Sequence, residues 1–596
     1  MGQENETTSP GGGFLIAETG PEGIFTPEDF SDEHRMIADT AEQFMESEVV
    51  PRIDAIEYKE SGINELLLRK AGEIGLLAPT VPEELGGAGL DQVSATIISD
   101  KSGRHGSFAT TFGAHSGIGT LPILYFGTED QKKKYLPRLA TADWISAYAL
   151  TEAEAGSDAL AARTRAELSA DGKKYLLNGT KLWITNAGFA HIFVTFAKVD
   201  GDKFTAFIVE RDAPGVSTGP EEHKMGINGS STRTLILENA EVPVDNLLGE
   251  IGRGHVIAFN ILNFGRFKLG ASVVSGIKHV FNTALRYALS RMQFQKPIIE
   301  FGAIQHKIAE MAVRVYAAES MVYRTAGLID SAMRAAHLTE SSSPSSALKV
   351  LEEYAVECSV VKVANSEILD FVVDEAVQIH GGNGFSRDYE VERCYRDARV
   401  NRIFEGTNEI NRLLISGMLL KRSMKGQLGI LAAAQKIAGE LLELSTREGA
   451  EGDVLEPETT LIRNYRKIFL LAAGVAAKRF REALAEQQEI LCALSTIAIH
   501  LYAAESTVLR ARKRVARSAG PDSELAVQVA RIVAHNAFSD VEKQAREILC
   551  ACAEGDELRT QLAALRRFLR ITGVDLIASR RRVAEALRQA ERYCLS

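Results

Sequence analysis

The period of the hydrophobic pattern changes twice along this chain of 596 residues, and that change restricts the fold more than any single residue does. Over residues 27–139 apolar side chains recur at the spacing of helices. Over residues 146–250 short β-rich runs alternate with turn dipeptides such as Asn178-Gly179. Helical spacing returns after Gly254 and continues, with breaks, to the C-terminus. We therefore predict an α+β protein in which one small β domain lies between helical domains.

The same changes give the domain boundaries that we expect. The segments are a polar tail over 1–25, an N-terminal α-helical domain over 26–145, a middle β-barrel or β-sandwich domain over 146–255, a helical bundle over 256–425 and an additional C-terminal helical domain over 426–596. The serine-rich stretch 337–346 predicts a flexible loop between two helices. Residues 448–457 and 518–521 predict further helix breaks.

The composition, 45% hydrophobic and 25% charged, is typical of a globular protein. The net charge of −11 argues against nonspecific nucleic-acid binding, which requires a basic surface. Six cysteines without a CxxC pair are interpreted as reduced thiols, and no metal site is expected. Residues 1–13 resemble neither a secretory signal nor a transit peptide, and no run reaches the roughly 20 apolar residues of a membrane span. A soluble, cytoplasmic protein of the bacterial type is expected.

The run Arg402–Glu409 contains the strongest candidate for a reactive group. It places Glu405 between an apolar pair and a Gly-Thr turn. Glutamate is rarely buried unless it is paired or functional, and an apolar surrounding would raise its pKa toward the value that a general base needs. The alternative is an ordinary helix start with Thr407 or Asn408 as the cap.

Four further segments accompany this run: Tyr148–Asp158, Lys181–Asn186, Arg291–Phe294 and Gln378–Phe385. In order and spacing the five segments resemble the acyl-CoA dehydrogenases, over roughly residues 30–420. Removing hydrogen from two adjacent carbons of a thioester needs a base and a hydride acceptor, and no side chain accepts hydride. No glycine-rich run here has the third glycine and the βαβ setting of a Rossmann site. The resemblance implies FAD instead, bound where the β domain meets the helices.

The resemblance implies a role for each matching residue. Glu405 would be the catalytic base that removes the α-proton while FAD takes the β-hydride. The positions that match cofactor contacts are Tyr148, Leu150, Thr151, Gly156, Ser157, Trp183, Ile184, Thr185, Arg291, Gln293, Phe294, Gln305, Gln378, Gly381, Gly382, Thr407 and Glu409. The positions that match substrate contacts are Ser157, Asn263, Arg266, Phe404 and Gly406.

Several of these residues also have an ordinary structural interpretation. Trp183 could be a core residue of a hairpin, Arg266 could form an ion pair within its helix, and His380 is interpreted as structural. In the family, the segment of Arg291 reaches the FAD of a neighbouring subunit, and Gln378, Gly381 and Gly382 match the complementary contacts. If both assignments hold, two subunits share each site, and a monomer would be inactive.

Some family members carry the base on a central helix, just before an arginine. Here that position is Gly265, before Arg266. Glycine has no side chain to accept a proton, so this isovaleryl-type arrangement is excluded and Glu405 remains the single candidate.

About 170 residues follow the region of resemblance, and this extension is most similar to the very-long-chain branch of the family. The branch implies a homodimer and long-chain acyl-CoA substrates. Residues 430–444 predict an apolar helix that packs in the core or at a dimer interface, or lies weakly on a membrane surface. The arginines at 566, 567, 570 and 580–582 predict a solvated helix face with ion pairs, or alternatively an attraction to anionic lipid.

The leading hypothesis is an FAD-dependent acyl-CoA dehydrogenase of fatty acid β-oxidation. It would make trans-2-enoyl-CoA and pass electrons to electron-transfer flavoprotein. An acyl-CoA oxidase that uses O2 shares the fold and the base and is the alternative enzyme. The alternative from another class is a non-catalytic assembly or scaffold protein on the same fold.

Overall fold

The structure, a computed structural model, describes residues 9–339, 344–440, 453–518, 520–570 and 573–595. Within them the predicted order of helical, β and helical regions is confirmed. The N-terminal helices are α1 Asp32–Phe44, α2 Ile53–Glu57, α3 Ile63–Glu73, α4 Gln92–Lys101, α5 Gly106–Gly113, α6 Leu121–Phe126 and α7 Glu129–Ala140. A π-helical turn, Ala114–Gly119, joins α5 to α6. Side-chain caps fix where these helices begin: the Thr128 hydroxyl, for example, accepts a hydrogen bond from the Gln131 amide at the start of α7.

The β region forms one sheet of eight strands. They are β1 Ser146–Ala149, β2 Arg165–Leu168, β3 Lys174–Thr185, β4 Ile192–Val199, β5 Lys203–Glu210, β6 Val216–Glu221, β7 Thr232–Pro243 and β8 Leu247–Leu248. The strand order is β6-β7-β3-β2-β4-β5-β8, and β1 pairs in parallel with β4. The register of β3 against β7 shifts between Lys181 and Ile184. This irregularity places Trp183 in the left-handed region, at φ 57°.

Long helices follow the sheet. They are α8 Gly254–Ser290, α9 Gly302–Thr339, α10 Pro344–Glu353, α11 Ala355–His380, α12 Glu390–Ala398 and α13 Asn408–Met424. A short hairpin, β9 Met292–Gln293 and β10 Lys296–Pro297, separates α8 from α9. Helices α8 and α11 pack against each other and are buried on several sides, as expected for the central helices of a bundle.

The loop predicted over residues 337–346 is shorter than the serine-rich composition suggested. Helix α9 continues to Thr339 and α10 already begins at Pro344. Proline is well tolerated in the first turn of a helix, where its missing N–H has no partner to lose. Residues 340–343 lie outside the described residues.

The C-terminal region is helical, as predicted. Its helices are α14 Ile430–Glu440, α15 Glu456–Phe480, α16 Gln488–Arg517, α17 Pro521–Cys552, α18 Gly555–Phe568 and α19 Leu576–Ala590. Helices α15, α16 and α17 pack together, and α16 also packs on α9 and α13. The helix break expected at 448–457 lies partly outside the described residues, and α15 begins at Glu456 within it.

Two surface features predicted for this region have structural explanations. Ile430, Ala434 and Ile437 are buried, which confirms the core alternative for this part of α14; residues 441–444 lie outside the described residues. The arginines at 566, 567, 570, 581 and 582 are exposed, as expected of a solvated helix face, whereas Arg580 is partly buried and pairs with Glu310 at 2.5 Å. Among the described residues, α16 is the one helix long and apolar enough to cross a membrane, and 78% of its most apolar window is buried inside the protein.

Residues 9–25, placed in a polar tail by the sequence analysis, pack against the C-terminal helices instead. Phe14 and Leu15 are buried, and the Phe14 ring meets Tyr502 of α16 edge-on at 4.8 Å. The Arg466 guanidinium donates to the Phe14 carbonyl, and Lys513 donates to the Ile24 carbonyl. The cationic side chains that hold this segment lie more than 400 residues away in the chain, so local composition could not reveal the contact.

Candidate active site

Glu405 lies in a tight turn between α12 and α13. Its backbone is left-handed, at φ 59°, and Gly406 follows at φ 80°. The Asn411 amide donates to the carbonyls of Glu405, Gly406 and Thr407 at 3.3, 2.9 and 3.0 Å. Arg266 donates to the Glu405 carbonyl at 3.2 Å. A left-handed conformation costs a residue with a side chain of the order of 1 kcal/mol, and such strain persists only where the surroundings impose it.

Lys362 of α11 supports the same turn from another side. Its ammonium donates to the Gly406 carbonyl at 2.8 Å and to the Asn408 side-chain oxygen at 2.7 Å. Burial lowers the pKa of Lys362 to about 8, partly offset by the charge of Glu405. The sequence analysis missed Lys362 and Asn411. A lysine within the apolar run Val360–Ala364 was the available signal, because a buried lysine is rare without a partner.

The Glu405 carboxylate is partly buried, and its Oε2 atom has no hydrogen-bond partner. Burial raises the pKa of Glu405 to about 7, against the opposing charges of Arg266 and Lys362. The rise that the sequence predicts for an apolar surrounding is therefore present. A carboxylate with this pKa is well matched to proton transfer near neutral pH. The predicted cap is also confirmed, since the Thr407 hydroxyl accepts from the Ile410 amide at the start of α13.

Gly265 forms the wall against which this carboxylate rests. A Cβ atom at position 265 would lie 2.5 Å from Oε2 of Glu405 and 2.9 Å from its carboxyl carbon. No L-amino acid with a side chain fits there while Glu405 keeps its position. The glycine thus removes the alternative base and provides the space for Glu405.

A cavity of about 230 Å³ extends from Glu405 along one face of α8. Gly265, Leu269, Ser272 and Gly276 contribute to this face, and the cavity reaches Val280. At 1.5 Å per residue, positions 265 to 280 span about 22 Å of helix. The opposite wall is built from small residues of α5 and the π-helical turn, and these are Gly106, Ala109, Gly113, Ala114, Ser116 and Gly117. The arrangement can hold a long, narrow, mostly apolar group with one end at a carboxylate.

Asn263 and Arg266 lie beside the site on α8, and Arg266 donates to the Asn263 side-chain oxygen at 2.8 Å. Within the described residues no carboxylate lies within 4 Å of Arg266, so the interpretation of this residue as half of a helix ion pair is wrong. Phe404 lines the cavity next to Glu405. The Arg266 guanidinium instead supports the turn at Glu405, because it donates to the Glu405 carbonyl oxygen.

The β domain contributes residues from the end of β1 and from β3. The Tyr148 hydroxyl is buried without a hydrogen-bond partner, and burial together with the charge of Glu405 raises its pKa well above the usual range. Thr185 lines the cavity. Trp183 is 61% exposed, so the alternative of a hairpin core residue is wrong. Ile184 is buried in the core of the sheet, which leaves only its backbone for contact with a cofactor.

A buried ion pair fixes the segment that follows β1. Lys181 of β3 pairs with Glu152 at 2.6 Å and donates to the Leu150 carbonyl, while the Leu182 amide donates to the Thr151 carbonyl. Further along, Gly156 and Ser157 are exposed, and a Cβ at position 156 would meet nothing within 4 Å. The small, open backbone there leaves room for a ligand to approach closely.

Arg291, Gln293 and Phe294 lie on or beside the β9–β10 hairpin, and Phe294 is 85% exposed. Gln378, Gly381 and Gly382 are exposed at the end of α11, and both glycines have open space where a Cβ would lie. None of these six residues lines the cavity beside Glu405. Gln305 in the first turns of α9 and Glu409 at the start of α13 do not line it either.

His380 has a structural role, as predicted. Its Nδ1 atom lies 2.7 Å from the Ala376 carbonyl, and its ring stacks on Tyr287 with the centroids 4.0 Å apart. The ring is thus fixed within the bundle by one hydrogen bond and one stacking contact.

The site combines a strained carboxylate, a long apolar cavity and an open edge on a β domain. Four domain families match the chain: the N-terminal domain of acyl-CoA dehydrogenases over 31–143, the middle domain over 147–240, and two C-terminal domain families over 252–420 and 464–567. The chain therefore belongs to the acyl-CoA dehydrogenase family, a family of FAD-dependent oxidoreductases.

Individual relatives extend this result to the whole chain. A "Probable acyl-CoA dehydrogenase" of Bacillus subtilis (strain 168) is 51% identical over 593 residues, and the match covers 100% of each chain. An acyl-CoA dehydrogenase from Bacillus anthracis, solved as a complex with FAD, is 50% identical with a TM-score of 0.96, covering 98% of this chain and 100% of that one. The very long-chain specific acyl-CoA dehydrogenase of Macaca fascicularis is 41% identical over 364 residues, 59% of this chain and 53% of its own.

Proposed function

We propose that this enzyme removes the α-proton and the β-hydrogen of long-chain acyl-CoA thioesters to give trans-2-enoyl-CoA, with Glu405 as the base. One observation carries the proposal: the Glu405 carboxylate has an unpartnered, buried oxygen and a pKa of about 7 at one end of the long cavity. A resting structural glutamate would be expected to pair with the nearby cations, whereas Arg266 and Lys362 bind backbone and amide oxygens instead.

Glu405 would take the α-proton onto its carboxylate, and substrate binding would favour this step. An acyl chain that fills the cavity displaces water, so the charged carboxylate loses solvation and gains proton affinity. The backbone N–H of Glu405 has no hydrogen-bond acceptor among the described residues. We infer that this N–H donates to the thioester oxygen and stabilises the negative charge that develops as the proton leaves.

FAD, which the family uses, would supply the acceptor for the β-hydride when bound. The residues present fit such a group on two observations: the Tyr148 hydroxyl is buried without a partner, and the backbone at Gly156, Gly381 and Gly382 leaves open space. Tyr148, Leu150, Thr151, Ser157 and the Trp183–Thr185 backbone would hold it on one side. Thr407 and Glu409 would complete this contact from α13.

Two further segments would contact the cofactor of a neighbouring subunit. The first contains Arg291, Gln293, Phe294 and Gln305, on or near the β9–β10 hairpin, and the second contains Gln378, Gly381 and Gly382 at the end of α11. Support for a homodimer comes from the exposed aromatic residues in these segments, Phe294 and Phe385, the latter 90% exposed. Large exposed apolar side chains are costly to leave in water and are enriched at interfaces.

The preference for long chains rests on the length of the cavity. Its face on α8 spans about 22 Å, which is the extended length of roughly 16 to 18 carbons at about 1.25 Å per carbon. The small residues of the opposite wall leave the cavity open along this length. We further infer that the electrons leave through electron-transfer flavoprotein, that the enzyme is cytoplasmic, and that any membrane contact is peripheral.

The experiment that tests the reaction mixes the purified enzyme anaerobically with acyl-CoAs from butanoyl to stearoyl and follows bleaching of the flavin absorption. The fastest bleaching is expected with the long chains. Bleaching only by short or branched chains would overturn the chain-length assignment and keep the chemistry. Stoichiometric peroxide under air would favour the oxidase, and a protein purified without flavin would favour the scaffold.

A further inference from the structure

Lys268 is a buried cation in the wall of the acyl cavity. It lies on α8, three residues after Gly265, and lines the same cavity as Glu405. Its ammonium donates to the Ser116 carbonyl at 3.2 Å. Within the described residues no carboxylate lies within 4 Å of it, and burial alone lowers its pKa to about 8, with no contribution from a neighbouring charge. One of its three N–H donors is used, and two have no protein acceptor.

Three other buried lysines have two oxygen acceptors each by comparison. Lys181 binds Glu152 at 2.6 Å, and Lys513 binds Asp29 at 2.6 Å. Lys362 has two oxygen acceptors. An ammonium taken out of water without such partners is costly, so a buried cation that lacks them is expected to meet its partner in a ligand.

The charged groups at the far end of the cavity, unlike Lys268, have charged partners within the protein. Glu390 lies 3.1 Å from Nε2 of His279 and 3.9 Å from Arg393, so these side chains balance one another. Lys268 is separate from them, because none of these charges contributes to its pKa.

A plain alkyl chain and a chain with a terminal carboxylate would affect Lys268 in opposite ways. An alkyl chain that passes Lys268 displaces water and leaves the ammonium facing methylene groups. A carboxylate at the same place accepts both unused N–H donors and neutralises the charge in a site of low dielectric, where such a pair is strongest.

We propose that Lys268 is a specificity-determining residue that lets the site also accept α,ω-dicarboxylyl-CoA thioesters of medium length, which it favours over monocarboxylyl thioesters of the same length because their terminal carboxylate binds its ammonium. This inference rests on the proposed function of the same site. Three residues of α8 separate Lys268 from Gly265 by about 4.5 Å, and the lysine side chain reaches about 6 Å. The ammonium therefore lies within about 10 Å of the catalytic carboxylate along α8. At about 1.25 Å per carbon, this limits the acyl groups to roughly ten carbons or fewer.

The test compares adipoyl-, suberoyl- and sebacoyl-CoA with hexanoyl-, octanoyl- and decanoyl-CoA on the holoenzyme. In the wild type, kcat/KM is expected to be higher for the dicarboxylyl thioester in at least one pair of equal length. In Lys268→Met, which has a similar shape and no charge, the ratio of dicarboxylyl to monocarboxylyl kcat/KM should fall at least tenfold, mainly through KM. Lys268→Arg, which keeps the charge, should retain most of the ratio.

An unchanged ratio in a flavin-loaded Lys268→Met enzyme would overturn the inference. If that variant does not retain flavin, the wild type decides alone: a monocarboxylyl preference at every length overturns the assignment. Turnover of monocarboxylyl thioesters without any dicarboxylyl preference rejects the inference and keeps the proposed function. No bleaching by either series rejects the inference, and no bleaching by palmitoyl-CoA in the same preparation rejects the proposed function as well.

Discussion

At the scale of single residues, the turn at Glu405 explains how a carboxylate stays reactive inside a protein. Its strained backbone is held by donors from Asn411, Arg266 and Lys362, all of which bind main-chain oxygens. The cations therefore stabilise the position of Glu405 without binding its carboxylate directly. Burial is then the largest influence on its pKa.

Replacing Glu405 with Gln tests the base directly. The variant keeps the shape of the side chain, so flavin content should match the wild type, whereas turnover should fall roughly 10²- to 10⁴-fold because the amide cannot accept a proton. The reduction rate of bound flavin by palmitoyl-CoA measures the loss. Glu33→Gln, an exposed glutamate on α1, serves as the control and should retain wild-type rates. Wild-type turnover by the Glu405 variant would reject the assignment.

The pH dependence of kcat/KM follows from the same carboxylate. Since burial raises its pKa to about 7, Glu405 is protonated, and inactive as a base, below that pH. We expect kcat/KM to rise about tenfold per pH unit below 7 and to level off above it. Stopped-flow flavin reduction from pH 5.5 to 8.5, at low substrate concentration, gives this profile. A flat profile over this range would show that the carboxylate is solvated in the free enzyme and already deprotonated at pH 5.5.

Gly265→Ala tests whether the wall behind Glu405 needs a glycine. The added methyl group would lie 2.5 Å from Oε2, so the carboxylate must move, and displacement of a reacting group by about 1 Å can cost roughly a hundredfold in rate. The flavin reduction rate is the measurement. Gly417→Ala in α13, where a Cβ meets nothing within 4 Å, is the matched control and should be neutral or slightly stabilising. Equal rates in both variants would mean that the carboxylate adapts freely.

At the scale of elements, α8 organises the site and the N-terminal segment braces the extension. Helix α8 carries Gly265 against Glu405, Arg266 at the turn and Lys268 in the cavity wall. The segment over residues 9–30 lies on α15 and α16, where Arg510 binds Glu28 at 2.9 Å and Lys513 binds Asp29. The N-terminal segment and the C-terminal helical region therefore stabilise each other.

Phe14→Ala tests this contact between the N-terminal segment and the C-terminal helical region. The ring is buried against Tyr502, and truncation of a buried phenylalanine costs about 3 to 5 kcal/mol. We expect a lower apparent Tm for the C-terminal region, measured by calorimetry. Tyr58→Ala removes an aromatic ring that is largely exposed and should change the Tm little. Equal Tm values for the two variants would show that residues 9–15 contribute no stability.

At the scale of the whole molecule, we propose that two copies of the chain complete each flavin site. Of the residues that match cofactor contacts, one group lies on the β domain, where Thr185 lines the Glu405 cavity, and another lies on the exposed hairpin and at the end of α11. A second copy that brings the two groups together would bury Phe294 and complete the flavin site.

Mixed dimers of Glu405→Gln and Arg291→Ala test this arrangement. Each homodimer should be inactive, the first without a base and the second with weakened cofactor binding. In a mixed dimer one site combines an intact Glu405 with an intact Arg291, so up to half of the wild-type activity should return. Two differently tagged chains, co-expressed and purified in tandem, provide the sample. Absence of any recovery in a flavin-containing mixed dimer would place Arg291 outside a shared site.

Local patterns were sufficient for the order of helical and β regions, because each depends on a short-range period. They failed at residues 337–339 and 344–346, which lie in helices although the composition predicted a loop. They also failed over residues 9–25, where the expected polar tail contains Phe14 and Leu15 at buried positions. Local patterns also could not predict the exposure of Trp183 or the partner of Arg266, because both depend on residues that are distant in the chain.

The sequence by itself determined the family motifs, the identity of Glu405 as the only candidate base and the exclusion of Gly265 as an alternative, because these depend on residue type and order. Only the tertiary structure decided that Gly265 touches the Glu405 carboxylate and that Lys362 and Asn411 hold its turn. It also decided that Lys268 lies in the same cavity with one carbonyl acceptor and no carboxylate within 4 Å among the described residues. Such properties arise from residues that are distant in the chain and adjacent in space. Burial, which sets the pKa of a carboxylate or an ammonium, is a property of the packed molecule.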